Sequence, residues 1–399
     1  MPPTPTFDHR RIQSFGSLFT AGSDQLLDHS HLKPGQNAEL LAYNKTLNMY
    51  RENAKRTNDV YIQTEFAAFL VEASQGIEDT EEAWSYLVEA QKILKQLSLR
   101  GHGDAQYYLA NLYALGILHR SHKSQFDKAF PLFVQAAKHH HADAAYRVGK
   151  CYEDGLGTRK DKSKAVQYYK KAATLNHPGA MYRLGLAEIH GELGMAENLR
   201  DGHKWLKRSA EIANAEYPHA LHELAMLHEK GNAVIFIDEA YAHSLYTDAA
   251  ELGYAPSAYR LGECYEFGHL KLKPDPAMSI YYYTIAADQD HPQACYALAA
   301  WYLVGHGTVL EPSEDQAYYW AHRAATKGYK RAEYAVGHFC EVGIGRDKDM
   351  EAATSWYQKA ADHGDQRAVQ RLKELATEGL AVRPAPRRTT NSMLWNRKK

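Results

Sequence analysis

No stretch of this 399-residue chain approaches the ~20 consecutive apolar residues that span a bilayer, so no transmembrane helix is expected. Met1 to Phe19 lacks an apolar core long enough for a secretory signal, which points to the cytoplasm. Cysteine is scarce. Cys151, Cys264, Cys295 and Cys340 lie far apart without a C-x-x-C pair, a pattern that fits buried thiols in a reducing compartment better than disulfides or metal ligands. Net charge is also lacking: Lys+Arg 47 against Asp+Glu 48 leaves no overall field to draw the chain onto nucleic acid or anionic lipid. Catalytic signatures are missing as well. There is no G-x-S-x-G and no H-E-x-x-H, and Gly155-Leu156-Gly157-Thr158 and Gly343-Ile344-Gly345-Arg346 follow helical patterns instead of strands, unlike phosphate loops. His139-His140-His141 cannot converge on one ion, because consecutive helical residues point about 100° apart, and they read as solvated helix-end residues. These absences predict a chain that is not an enzyme and holds no cofactor or metal.

What the chain has is a repeat. Small residues recur at Ala105, Ala144, Ala180, Ala220, Ser257, Ala294, Ala332 and Ala368, spaced 36 to 40 residues apart. Four residues after each comes an aliphatic side chain, Leu109, Val148, Leu184, Leu224, Leu261, Leu298, Val336 and Leu372. The next position is small in seven copies, as at Gly149, Gly185, Gly262 and Gly337. Helical spacing puts all three on one face, where small side chains let a neighbouring helix approach closely. Tyrosine stands two residues after the anchor in six copies and is expected to wedge between repeats. Eleven residues after every anchor comes glycine: Gly116, Gly155, Gly191, Gly231, Gly268, Gly305, Gly343 and Gly379. Three helical turns closed by glycine predict a left-handed C-cap.

A second helix follows a loop of variable length. Near its end it carries a small doublet such as Ala172-Ala173 or Ala286-Ala287, with an aromatic three or four residues earlier: Phe133, Tyr169, Trp205, Tyr246, Tyr283, Trp320, and Trp356 or Tyr357. Pro178, Pro218, Pro256 and Pro292 then open the next first helix. Upstream, Ile62 to Ala73 and Ala83 to Leu99 each mark a helix, and Leu40, Leu41, Leu47 and Tyr50 suggest one more. The expected organisation is a flexible segment 1–36, capping helices 37–102, about eight repeats over 103–379, and a disordered basic tail 380–399. The fold class expected is all-α, a right-handed α-solenoid of helix-turn-helix repeats.

The pattern A-x-Y-x-L-G-x-x-Y-x-x-G, close to Tyr146-Arg147-Val148-Gly149-Lys150-Cys151-Tyr152-Glu153-Asp154-Gly155, resembles the Sel-1-like repeat, a relative of the tetratricopeptide repeat. More narrowly, Gln63 to Ala73, Ala83 to Ala90 and Arg100 to Ala110 look like the fungal chitin synthase activator family. That resemblance implies a non-catalytic subunit that binds and activates a chitin synthase, or localises it, in cell-wall and septum formation. The protein partner would be the synthase's catalytic subunit, and any membrane association would be peripheral. Members often end in a prenylation box; no cysteine stands near Lys399, so no prenyl anchor is expected. The alternatives are a Sel-1-like adaptor in a membrane-protein degradation complex and a repeat-fold hydrolase.

A surface stripe completes the reading. Three residues after the anchor stand Arg147, Arg183, Arg260 and Arg371, with Lys150 six residues after one anchor. First helices of solenoids commonly line the face where partners bind. Tyr108, Arg147, Lys150, Arg183 and Arg260 are therefore the candidate partner-binding residues, the alternative being that the arginines pair with acids of neighbouring helices.

Overall fold

The structure, a computed structural model, describes residues 43–377 apart from Glu78 and Thr308. The expected segment 1–36, the residues Leu40 and Leu41, Gly379 and the tail 380–399 lie outside the described residues. Among the described residues there are eighteen helices and no strand; one isolated bridge joins His306 and Leu310.

The chain divides into two compact units, Met1–Ala220 and Leu221–Lys399. The first opens with α1 (Tyr43–Thr57), α2 (Val60–Gln75) and α3 (Thr80–Leu99). Three helix pairs follow: α4 (Gly103–Ala114) with α5 (Phe126–Lys138), α6 (Ala142–Asp154) with α7 (Lys162–Thr174), and α8 (Pro178–Ile189) with α9 (Leu199–Glu211). The unit boundary falls in the first turn of α10 (His219–Lys230), which pairs with α11 (Glu239–Glu251). Then come α12 (Ala255–Phe267) with α13 (Pro276–Asp288), α14 (Pro292–Val304) with α15 (Glu314–Thr326), α16 (Lys330–Val342) with α17 (Met350–Asp362), and α18 (Gln366–Thr377). The fold is the all-α solenoid of helix pairs that the periodicity predicts.

The register follows from side-chain size. Every anchor, from Ala105 to Ala368, is fully buried, and so are the aliphatic residues Val148, Leu184, Leu261 and Val336. Of the small residues after them, Gly149, Gly262 and Gly337 sit under an aromatic ring of the second helix. A Cβ on Gly149 would lie 2.7 Å from the Tyr169 ring, and one on Gly262 2.5 Å from the Tyr283 ring. Tyr169, Tyr246, Tyr283 and Tyr357 are each less than 2% exposed, which identifies Tyr357 and not Trp356 as the packing ring of its repeat. In α9 the expected Trp205 is displaced: Leu206 is fully buried, while Trp205 packs at the margin beneath the Arg208 guanidinium. The slot lies three residues before the doublet, and Trp205 is four before it.

The seven described repeat glycines all have positive φ, from 63° to 92°. Gly155, Gly268 and Gly343 are themselves the left-handed cap residue. Gly345 has a different task. A Cβ there would overlap the Glu314 carbonyl, so the loop after α16 packs directly on the first turn of α15. Pro178, Pro256 and Pro292 occupy first turns as expected, whereas Pro218 lies just before α10 and Pro131 stands inside α5.

Candidate partner-binding face

Adjacent repeats are joined by rings. In three repeats the tyrosine two residues after an anchor packs on a histidine ring three residues before the next anchor: Tyr107 on His141 at 4.3 Å, Tyr146 on His177 at 4.5 Å and Tyr259 on His291 at 4.9 Å. His222 and Tyr254 meet at the same two positions with the residue types exchanged, there edge to face at 5.4 Å. At the last repeat Arg367 replaces the ring, its guanidinium 4.5 Å over Tyr334. His141, His177 and His291 also cap helices, Nδ1 of each accepting the N–H of Ala144, Ala180 or Ala294. Capping corrects the sequence reading of His141 as a solvated histidine: only a neutral ring nitrogen can accept that bond, and the other ring face is covered by tyrosine.

Burial lowers the pKa of His141, against the opposing pull of Asp143 and Asp104, and burial likewise lowers that of His291, against Glu263. The unfolded chain then takes up protons near pH 6.5 before the folded chain does, so these residues contribute stability above that pH and lose it as pH falls. The melting temperature is expected to drop between about pH 7 and pH 5. In a His141→Asn, His291→Asn variant, which keeps capping acceptors that do not titrate, the slope should flatten; an unchanged slope would refute the assignment.

A second interlock is ionic. In the first unit Glu153, nine residues after its anchor, accepts the Tyr169 hydroxyl at 2.5 Å and the Arg183 guanidinium at 2.6 Å, and Arg183 also reaches Glu192 at 2.6 Å. In the second unit Glu229 binds Tyr246 (2.8 Å) and Arg260, while Glu341 binds Tyr357 (2.7 Å) and Arg371. Burial alone would raise the pKa of Glu153 and Glu229, but the hydrogen bonds from arginine and tyrosine outweigh it and hold both below the ordinary carboxylate range. At Glu341 the Arg371 hydrogen bond is the main cause of the same lowering. Each arginine thus clips the first helix of its repeat to the preceding repeat.

The structure accordingly places the candidate residues as follows. Arg183 and Arg260 are clips, with side chains 18% and 25% exposed. Arg147, where the preceding position nine is Ala114, bonds the Tyr107 hydroxyl instead. Tyr108 packs against the core of the first unit. Lys150 pairs with Asp154 at 3.5 Å along α6 and keeps 30% of its side chain exposed. In the second unit a groove of about 440 Å³ opens on the first-helix face, lined by His222, Met226, Tyr259, Arg260 and Glu263 among others. Sequence reasoning missed three exposed apolar side chains of the second unit, Phe236, Phe267 and Val304, which are 90%, 62% and 78% exposed at or after first-helix ends. The four cysteines are buried free thiols, with Cys151 and Cys264 pushed up to about 12 by burial. Among the described residues no group of His, Cys, Asp and Glu could hold a metal ion, and no helix is long and apolar enough to cross a membrane.

The profile of the Sel1 repeat family matches seven successive segments, 103–141, 142–177, 178–214, 218–254, 255–291, 292–329 and 330–365. α18, which carries the last anchor, lies beyond them. Chitin synthase regulator SKT5 of Malassezia restricta is 48% identical over 92% of this chain and 26% of its own length. The protein of the same name in Saccharomyces cerevisiae is 38% identical over 90% of this chain and 55% of its own length. The chain therefore spans about a quarter and about half of these relatives. Among solved structures, a Sel1 repeat protein from Oxalobacter formigenes superposes with a TM-score of 0.57 at 25% identity, covering 82% of this chain and 90% of that one.

Proposed function

This chain belongs to the Sel1 repeat family, and we propose on that footing that it is a non-catalytic adaptor which binds a chitin synthase and activates or localises it at growing cell wall and septum. The observation that carries the reading is similarity to two proteins named chitin synthase regulators that extends over 92% and 90% of the chain. The geometry supports it. Within each unit, first helices locked to one another by rings and ion pairs make a rigid surface, and a preorganised surface loses little entropy when a partner docks. The adaptor works in the cytoplasm and meets the membrane through its partner. Affinity purification of the tagged chain from fungal cells tests this: a chitin synthase should be the leading membrane protein recovered. Recovery of a degradation complex, with the synthase absent, would overturn the reading.

A further inference from the structure

The ionic interlock is incomplete at one repeat, and the gap has a chemistry. Glu266 of α12 stands nine residues after its anchor, as Glu153, Glu229 and Glu341 do, and it accepts the Tyr283 hydroxyl at 2.6 Å as they accept theirs. The residue that would supply the guanidinium, three after the next anchor, is Ala297. Among the described residues the one hydrogen bond to the Glu266 carboxylate is that from Tyr283. Nearby, Tyr259 donates to Glu263 at 2.7 Å and lies within electrostatic reach of Glu266 and Tyr329. Tyr259 and Glu263 also line the first-helix groove.

We propose that Glu266 and the tyrosines beside it form a subsite for an arginine side chain presented by the protein partner. A guanidinium suits this carboxylate, since its planar fork matches the two oxygens. The chain itself supplies the precedent: Arg183, Arg260 and Arg371 sit on the equivalent glutamates. Flanking charge favours a cation, because Arg260 is already engaged by Glu229 and Glu263. A lysine of the partner would meet the carboxylate but not the planar geometry.

This inference rests on the adaptor reading, and its test separates the two. The 399-residue chain carrying ε-¹³C tyrosine is titrated with L-argininamide, and with the citrulline amide as an uncharged control. The Tyr283 and Tyr259 ring signals should move with argininamide alone, and should stop moving in Glu266→Gln and in Ala297→Arg. Ala297→Arg supplies the guanidinium in cis, so it should melt at or above the wild-type temperature while chitin synthase recovery falls about tenfold or more. Ring shifts that persist in Glu266→Gln would overturn the subsite, as would wild-type recovery of the synthase by a folded Ala297→Arg protein. If argininamide behaves as expected but the wild-type chain recovers no synthase, the subsite stands and the proposed partner falls.

Discussion

Reversing Arg183 to glutamate should destabilise the first unit by about 2 to 4 kcal/mol, because it removes the cation from two carboxylates and adds a third. Arg183 and Glu153 are 18% and 16% exposed, so solvent screens the pair only in part. Tyr169 would go on donating to Glu153, but one neutral hydroxyl cannot offset two facing charges. Adding Glu153→Gln to the same chain should recover part of the loss, since it relieves the repulsion without restoring the clip. Urea unfolding followed by helical signal measures both; a midpoint unmoved by Arg183→Glu would show that the clips contribute nothing to stability. A reversal at Arg183 or Arg260 therefore reports on folding first, and Glu266, which no cation among the described residues holds, is the cleaner place to probe docking.

Gly262→Leu should cost about 3 kcal/mol or more, the upper range for overpacking a well-filled interior. Its Cβ would begin 2.5 Å from the Tyr283 ring, and Tyr283 cannot yield easily: it is 1% exposed and its hydroxyl is tied to Glu266. The two helices would have to separate, opening the α12–α13 pair. Ala300→Leu, at an exposed position of α14, is the control and should leave the melting temperature near wild type. Equal effects from the two substitutions would contradict the close approach of helix and ring.

The first helices were legible because their pattern is short-range. Anchor, aliphatic, small residue and glycine fall within twelve residues, and the 3.6-residue period assigns each a direction. The caps were legible for the same reason, since Gly155, Gly268 and Gly343 mark left-handed positions that other residues occupy only at a cost. What joins one repeat to the next was harder to read. The clips pair residues some 30 positions apart, as in Arg183 with Glu153 and Arg371 with Glu341, and finding them requires the stagger between neighbouring helices, which one repeat pattern does not supply. A signal did exist for the rings: His102, His141, His177, Tyr217, Tyr254, His291 and Tyr329 all stand three residues before an anchor. Counting forward from the anchor passed over them. The same omission left open whether the candidate arginines form a free stripe or pair with neighbouring acids; the glutamates that clip Arg183 and Arg260 lie in the previous repeat.

The central claim, that the chain regulates a chitin synthase by binding it and does no chemistry of its own, is tested most directly by reconstitution. Purified chain and purified chitin synthase are combined in detergent, and both complex formation and incorporation of the sugar-nucleotide precursor into chitin are followed. The account predicts a saturable complex, no incorporation and no chitin hydrolysis by the chain alone, and loss of the complex in Ala297→Arg without loss of folding. Turnover by the rigorously purified chain that disappears on changing one of its residues would contradict the account, as would a synthase that neither binds the chain nor responds to it.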